Sequence, residues 1–181
     1  PGCSDTEARE AFKRSGMQYL SCNACQTLYV SPRLPEKVLT HFYRNARSVA
    51  FWRDEFLPAT REIRRVKLFR PRAQWLLDVV DEYCPNAKTG IAAGYNNHLL
   101  IEELLAQEDR LFSITVTNAA ADIEFADLVI PGVSVCPMPI AQWDSLEPTD
   151  VFMAFDILDR CADPDAFFAG ARAAIAPGGL L

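Results

Sequence analysis

The residues in this chain best suited to chemistry of their own are its six cysteines: Cys3, Cys22, Cys25, Cys84, Cys136 and Cys161. The first three stand apart. Cys22-Asn23-Ala24-Cys25 is a C-x2-C pair in a turn-forming context, and Cys3 lies upstream with eighteen residues intervening. A zinc ribbon needs two such knuckles, because four thiolates must converge tetrahedrally at about 2.3 Å from the metal. Cys3 would be the second residue of the other knuckle if a cysteine stood immediately before Pro1; His41 is the weaker alternative for a fourth ligand. The spacing therefore predicts a structural zinc site held by Cys3, Cys22 and Cys25, in which metal binding supplies folding energy that a small core lacks. Two other readings stay open: unrelated loop cysteines, and a redox Cys-x-x-Cys, which lacks the strand-to-helix context of the thioredoxin type. Cys84, Cys136 and Cys161 sit in apolar surroundings and read as small buried hydrophobes.

The second chemistry-bearing group is cationic. Arg61, Arg64, Arg65, Lys67, Arg70 and Arg72 crowd one stretch against Glu62 alone. They belong to a wider division: residues up to Arg72 carry 14 basic and 7 acidic side chains, and the rest carry 4 basic and 17 acidic, giving −6 for the whole. Such a run could be an anion-binding surface. The favoured reading is a solvated helix face that pairs with the acidic second half. Nucleic-acid binding is disfavoured by the net charge and by the lack of interleaved aromatics or any recognisable module.

The elements that must position these groups follow from patterning over 181 residues, half of them hydrophobic. That composition is globular. No apolar run approaches eighteen residues and no leader is visible, so the expectation is a cytoplasmic chain with reduced cysteines and no membrane partner. Both ends look cut, since the sequence opens on Pro1 and stops at Leu181 just after a Pro-Gly-Gly turn. Residues 17–30 alternate around the knuckle and read as a hairpin. Pro35 to about Asn45 reads as a helix with Val38, Leu39, Phe42 and Tyr43 on one face. Thr60 is placed to cap a second helix that buries Ile63, Val66 and Phe69, and a third runs from Pro71 to Tyr83 with Trp75, Leu76, Val79 and Val80.

From Lys88 onward strands and helices alternate: strand Thr89–Ala93, helix Asn96–Gln107, strands Leu111–Val116, Val133–Cys136 and Asp150–Phe155, helix Asp163–Ala176, and a fifth strand beginning at Leu180. This order predicts an α/β, Rossmann-like parallel sheet with right-handed crossovers and ligands at the carboxyl ends of its strands. The expected organisation is a zinc-ribbon-like module (1–35), a helical linker or cap (36–84) and a truncated Rossmann-like domain (85–181).

The ordered set Ala92-Ala93-Gly94-Tyr95-Asn96, then Asp150 through Asp156 and Asp159, then Asp163-Pro164 and Pro177-Gly178-Gly179 resembles class I S-adenosylmethionine-dependent methyltransferases. Cys22-x-x-Cys25, Ser31-Pro32-Arg33 and Phe42-Tyr43 resemble the subgroup with an N-terminal zinc-binding module, associated with small-molecule or glycan modification. The resemblance implies a cofactor site lined by Ala92, Gly94, Tyr95, Asn96, Thr117, Asn118 and Asp156, with Tyr43 closing over it. It also implies an acidic-x-Gly-x-Gly-x-Gly loop, whereas this chain has Gly90, Ala92, Gly94 and Asn96 at the four positions, so that Gly94 alone survives.

Where the resemblance implies a ribose-binding carboxylate at the end of the second strand, the chain has Thr117-Asn118. Near the adenine it has Cys136-Pro137-Met138, and in place of a Glu-His pair it has Asp159-Arg160. His98, inside the first helix of this half, reads as a surface or core residue and not as a substitute base. Losing a charged hydrogen-bond partner costs about 1.5–3 kcal/mol, so two such losses weaken binding roughly a hundredfold or more. The sequence thus supports two competing readings of function. One is a pseudo-enzyme that binds other domains or a protein partner. The other is an active methyltransferase on a small molecule or glycan, its catalytic base unassigned.

Overall fold

The computed structural model describes residues 3, 5–94, 98–107, 113–117, 130–136, 140–158, 161 and 163–181. The chain divides into two compact units, Pro1–Val38 and Leu39–Leu181.

The first unit is a three-stranded antiparallel sheet in the order β1 (Ala8–Arg14), β2 (Met17–Cys22), β3 (Leu28–Val30). The β2–β3 hairpin follows the alternation of residues 17–30. Strand β1 does not announce itself, because all but its first residue are exposed and its charges obscure any period of two. It is held by the backbone ladder to β2 and by the stacked rings of Phe12 and Tyr19, 4.6 Å between centroids. The turn between them places Ser15 and Gly16 at φ +52° and +77°, the double positive φ that suits the twist of a two-residue hairpin. Cys22 is the buried side chain of β2.

The second unit carries the five-stranded parallel sheet expected from the alternation, in the order β6-β5-β4-β7-β8, with β4 (Thr89–Ala93), β5 (Ser113–Thr117), β6 (Val133–Cys136), β7 (Thr149–Met153) and β8 (Ile175–Leu180). Helix α6 (His98–Gln107) follows β4, and α7 (Pro164–Ala173) precedes β8. The central strand β4 is buried on both faces. Ala92 joins Leu77, Val80, Leu99, Leu100 and Val116 in one core, whereas Ile91 and Ala93 join Trp143, Phe152 and Phe167 in the other. Helix α7 starts where Asp163 accepts the Ala166 amide at 3.0 Å and Pro164 occupies the first turn.

Two sequence expectations need correction here. The last strand begins at Ile175, not Leu180, and the helix before it ends at Ala173. Pro177-Gly178-Gly179 lies inside β8, where pairing with β7 skips from Thr149↔Ile175 to Val151↔Leu180. A Cβ on Gly179 would sit 2.8 Å from the Asp150 carbonyl, so the close approach of backbones requires glycine there.

The helical segment also differs in register. After α1 (Glu36–Asn45) come α2 (Arg47–Phe51), α3 (Leu57–Ala59), α4 (Arg61–Arg64) and α5 (Arg70–Tyr83), with π-helical turns at Trp52–Phe56 and Arg65–Phe69. Thr60 does not cap α4; its hydroxyl donates back to the Phe56 carbonyl at 2.7 Å. Of Ile63, Val66 and Phe69, only Phe69 is buried, since an i→i+5 turn widens the spacing and rotates the face that a 3.6-residue period would bury. Trp75 is likewise 56% exposed.

The cationic run pairs with the acidic half, as the favoured reading expects. Arg61 and Arg65 both reach Glu102, and Arg65 Nε and Arg70 Nε each stand 2.8 Å from Glu103, whose side chain is 6% exposed. These pairs tie α4, the π turn and α5 to α6 within one unit.

At the amino ends of β4 and β7, Asp150 Oδ2 accepts from the Lys88 and Thr89 amides at 2.8 and 3.0 Å and from Thr89 Oγ1 at 2.9 Å. The Lys88 amide is the main cause holding the Asp150 carboxyl below its ordinary 3.8. A depressed folded-state pKa contributes stability that is present above the ordinary value and lost as pH falls through the folded one. Asp150→Ala should therefore cost about 1 kcal/mol at neutral pH, discounted for an exposed carboxylate, with the gap from wild type closing on acidification. Urea midpoints measured across acid pH check this; a gap that persists at the acid end would contradict it.

Candidate functional site

Three strands deliver their carboxyl ends to one side of the sheet: β4 into Gly94, β5 into Thr117 and β7 into the segment through Asp156. Gly94 keeps the backbone form that the resemblance requires. Its φ is +109°, and its amide donates to the Thr117 carbonyl at 3.0 Å. A Cβ added to Gly94 would meet Ile157 Cδ1 at 3.2 Å, so the turn is braced from that side by an apolar side chain.

The remaining motif positions are occupied by packing. Gly90, standing where the resemblance implies an acidic residue, is buried, and a Cβ there would lie 3.2 Å from Met153 Cε. Ala92 is fully buried in the core beneath. Thr117 is fully buried at the end of β5, uncharged, with its carbonyl engaged by Gly94. A ribose clamp needs a carboxylate that can reach two hydroxyls. Gly90, Ala92 and Thr117 carry no carboxylate. Tyr95, Asn96 and Asn118, together with Asp159 and Arg160, lie outside the described residues. Tyr43 is a half-buried residue of α1 in edge contact with Phe42, 5.4 Å between centroids.

Asp156 departs from β7 at φ +55°, with its side chain 73% exposed and Oδ2 2.9 Å from an Arg72 Nη. The Arg72 guanidinium lies over the rings of Phe155 at 4.7 Å and Phe69 at 6.0 Å. Motif reasoning does not single out Phe155 or Ile157, and it names Arg72 only as a member of the cationic run. Ile157 and Phe155 follow a recognisable strand, but the partner Arg72 is 84 residues away from Asp156 and only the fold brings it close. His98 opens α6 half-buried, and burial first, then Arg61, lowers its pKa below the ordinary 6.5.

In the first unit the three predicted ligands do converge. The ligand atoms of Cys3, Cys22 and Cys25 lie within 4.8 Å of one another, and Cys3 Sγ is 3.6 Å from Cys22 Sγ. Tetrahedral thiolates at about 2.3 Å from a metal stand about 3.8 Å apart, so this donor set could hold a metal ion. Cys22 ends β2, and its amide and carbonyl are closed into the knuckle by Thr27 and Gln26 at 3.0 and 3.1 Å. The Thr27 hydroxyl, 3.0 Å from Cys25 Sγ, is the main cause holding that thiol down at about 6. The ring of His41, a residue of the second unit, stands 3.3 Å from the Asn45 amide nitrogen. Of the other cysteines, Cys161 is buried, and Cys84 and Cys136 are half-buried.

No protein family and no curated protein matches the sequence. Among solved structures, the chain is similar to a sugar N-methyltransferase from a Streptoalloteichus species, with a TM-score of 0.51 and 18% identity. The match covers 66% of this chain and 49% of the other, so this chain spans about half the length of that protein. At this identity the likeness concerns the fold alone, a parallel α/β sheet of the Rossmann-like kind.

Gly94→Ala should lose about 1–3 kcal/mol, because alanine at this φ is strained and its methyl must displace Ile157. Urea unfolding measures the loss, and an unchanged midpoint would show that the turn relaxes out of the geometry described.

Proposed function

We propose that this chain is a methyltransferase-fold domain that works as a binding or scaffold module without transferring a methyl group. The observation that carries the reading is the end of β5: an uncharged, fully buried Thr117 whose carbonyl is already bonded to Gly94. Replacing a charge-assisted contact to the ribose by none costs about 1.5–3 kcal/mol, or roughly one to two orders of magnitude in affinity. Gly90 and Ala92 add to this, since the volumes that a carboxylate and a glycine would leave are taken by Met153 and the core.

A second reading, an active S-adenosylmethionine-dependent methyltransferase on a small molecule or glycan, draws support from two observations. Gly94 retains its positive φ, and the structurally similar protein is a sugar N-methyltransferase. In that case Tyr43, Tyr95, Asn96, Asn118 and Asp156 would be the residues left to hold the cofactor. Calorimetric titration separates the two. The binding-module reading expects no heat from S-adenosylmethionine or S-adenosylhomocysteine up to about millimolar, and binding near micromolar would overturn it.

The cysteine cluster is assigned to structural zinc, held by Cys3, Cys22 and Cys25 with a fourth donor from beyond these three. The first unit has few buried side chains, so metal ligation would supply the folding energy its core does not. Protein purified without chelator is expected to carry about one zinc per chain by elemental analysis, falling sharply in Cys22→Ser and Cys25→Ser. A metal-free wild type would remove the assignment.

A further inference from the structure

We propose that one face of the first unit's sheet docks single-stranded nucleic acid, with a base stacked on Phe12 and the flanking phosphates held by Arg9 and Arg14. The inference goes beyond the binding-module reading and does not rest on it, because every residue involved lies in Pro1–Val38.

The strand register sorts the charges of this sheet onto opposite sides. Arg9 stands opposite Ser21, Phe12 opposite Tyr19 and Arg14 opposite Met17. Ser21 and Tyr19 in turn stand opposite Leu28 and Val30. The bulge between Glu10 and Phe12 shifts the alternation by one, so Phe12 and Arg14 share a face with Arg9 and not with Glu10. Glu10 lies on the other face, where its Oε2 accepts from Gln18 Nε2 at 2.7 Å and stands 3.7 Å from Lys13 Nζ. It is the one acidic residue of the three strands, so the first face carries two arginines and no carboxylate. Among the described residues neither Arg9 nor Arg14 is in an ion pair.

Between these cations the aromatic pair is open to extension. The Phe12 and Tyr19 rings lie 4.6 Å apart at 19°, close to parallel. Tyr19 belongs to the central strand and is half-buried, whereas Phe12 belongs to the edge strand β1 and is 44% exposed. Tyr19 covers one face of the Phe12 ring, and the exposed face is the one turned away from it. A nucleobase is a planar π-system that continues such a stack, and base–aromatic stacking contributes about 1–3 kcal/mol per base. Arg14 lies two residues further along the same strand and face, about 7 Å away, and Arg9 lies on the other side of Phe12. Positive charge thus brackets the ring as phosphates bracket a base. Exposed Met17 and Leu28 widen the apolar floor.

Other partners match this face less well. An anionic lipid surface shares the charge preference, but it takes side chains that insert, and the Phe12 ring is stacked flat on Tyr19. An acidic peptide would satisfy the arginines and leave the ring without a planar partner. The acidity of the chain is no obstacle, since residues 1–38 carry five basic and four acidic side chains and the negative balance lies in the second unit. The interleaved aromatics that the cationic run lacks are present in β1, a strand its own pattern does not reveal.

The test is fluorescence anisotropy of a labelled oligothymidylate about twelve nucleotides long, titrated with the full chain purified without chelator. Saturable binding with a Kd of about 10 μM at low salt is expected, weakening with salt along a log–log slope of about −1.4 for two phosphate contacts. Phe12→Ala should weaken binding about tenfold. Arg9→Gln and Arg14→Gln should each reduce the salt slope by about 0.7. Both arginines are exposed and unpaired, so these variants keep the proposal testable where Phe12→Ala fails to fold. In the 15N-labelled chain, amide shifts on titration should centre on β1 and β2. Three results overturn the proposal: no binding up to about 1 mM chain, a salt slope unchanged in both arginine variants, or shifts centred on the second unit. Binding to phosphatidylserine vesicles in place of the oligonucleotide overturns it as well.

Discussion

The rest of this structure depends on β4 being packed from both sides. A strand in the middle of a parallel sheet with cores above and below has no room for long or charged side chains, and Thr89-Gly90-Ile91-Ala92-Ala93 is accordingly small and apolar from Gly90 onward. The same constraint explains the departures from the cofactor motif. A Cβ at position 90 would crowd Met153, and the Ala92 methyl is fully buried in the core. Substitutions that look like erosion when set against a motif are good packing when set against the sheet.

Charge is organised by the same architecture. The basic first part and the acidic second part of the second unit meet where α4 and α5 run past α6. Glu103 is nearly buried there, and a carboxylate in that position would be strongly destabilising without Arg65 and Arg70 beside it. The arginines that in sequence suggest an anion-binding surface are thus spent largely within the fold. Arg72 is the exception in kind: its partner Asp156 is exposed, and its guanidinium also covers Phe69 and Phe155, so it ties α5 to the residues just after β7. The carboxyl end of the sheet therefore combines a braced glycine turn, a closed β5 end and an ordered polar pair beside exposed aromatic surface.

The sequence by itself determined the alternation of strands and helices, the position of β4 and β6 to the residue, the knuckle hairpin and the three cysteines that converge. These are local matters of period, turn residues and spacing, which a chain expresses before it folds. It did not determine which face of the 47–69 helical stretch is buried, because two π turns and the back-bonded Thr60 break the period on which such a reading relies. Nor did it reveal β1, whose place depends on a neighbouring backbone and not on its own pattern, or the start of β8 ahead of its Pro-Gly-Gly bulge. The fate of the motif was decided only in three dimensions. The Gly94 amide on the Thr117 carbonyl, Ile157 beside Gly94 and Arg72 on Asp156 are contacts between residues apart in the chain, and only packing brings those partners together.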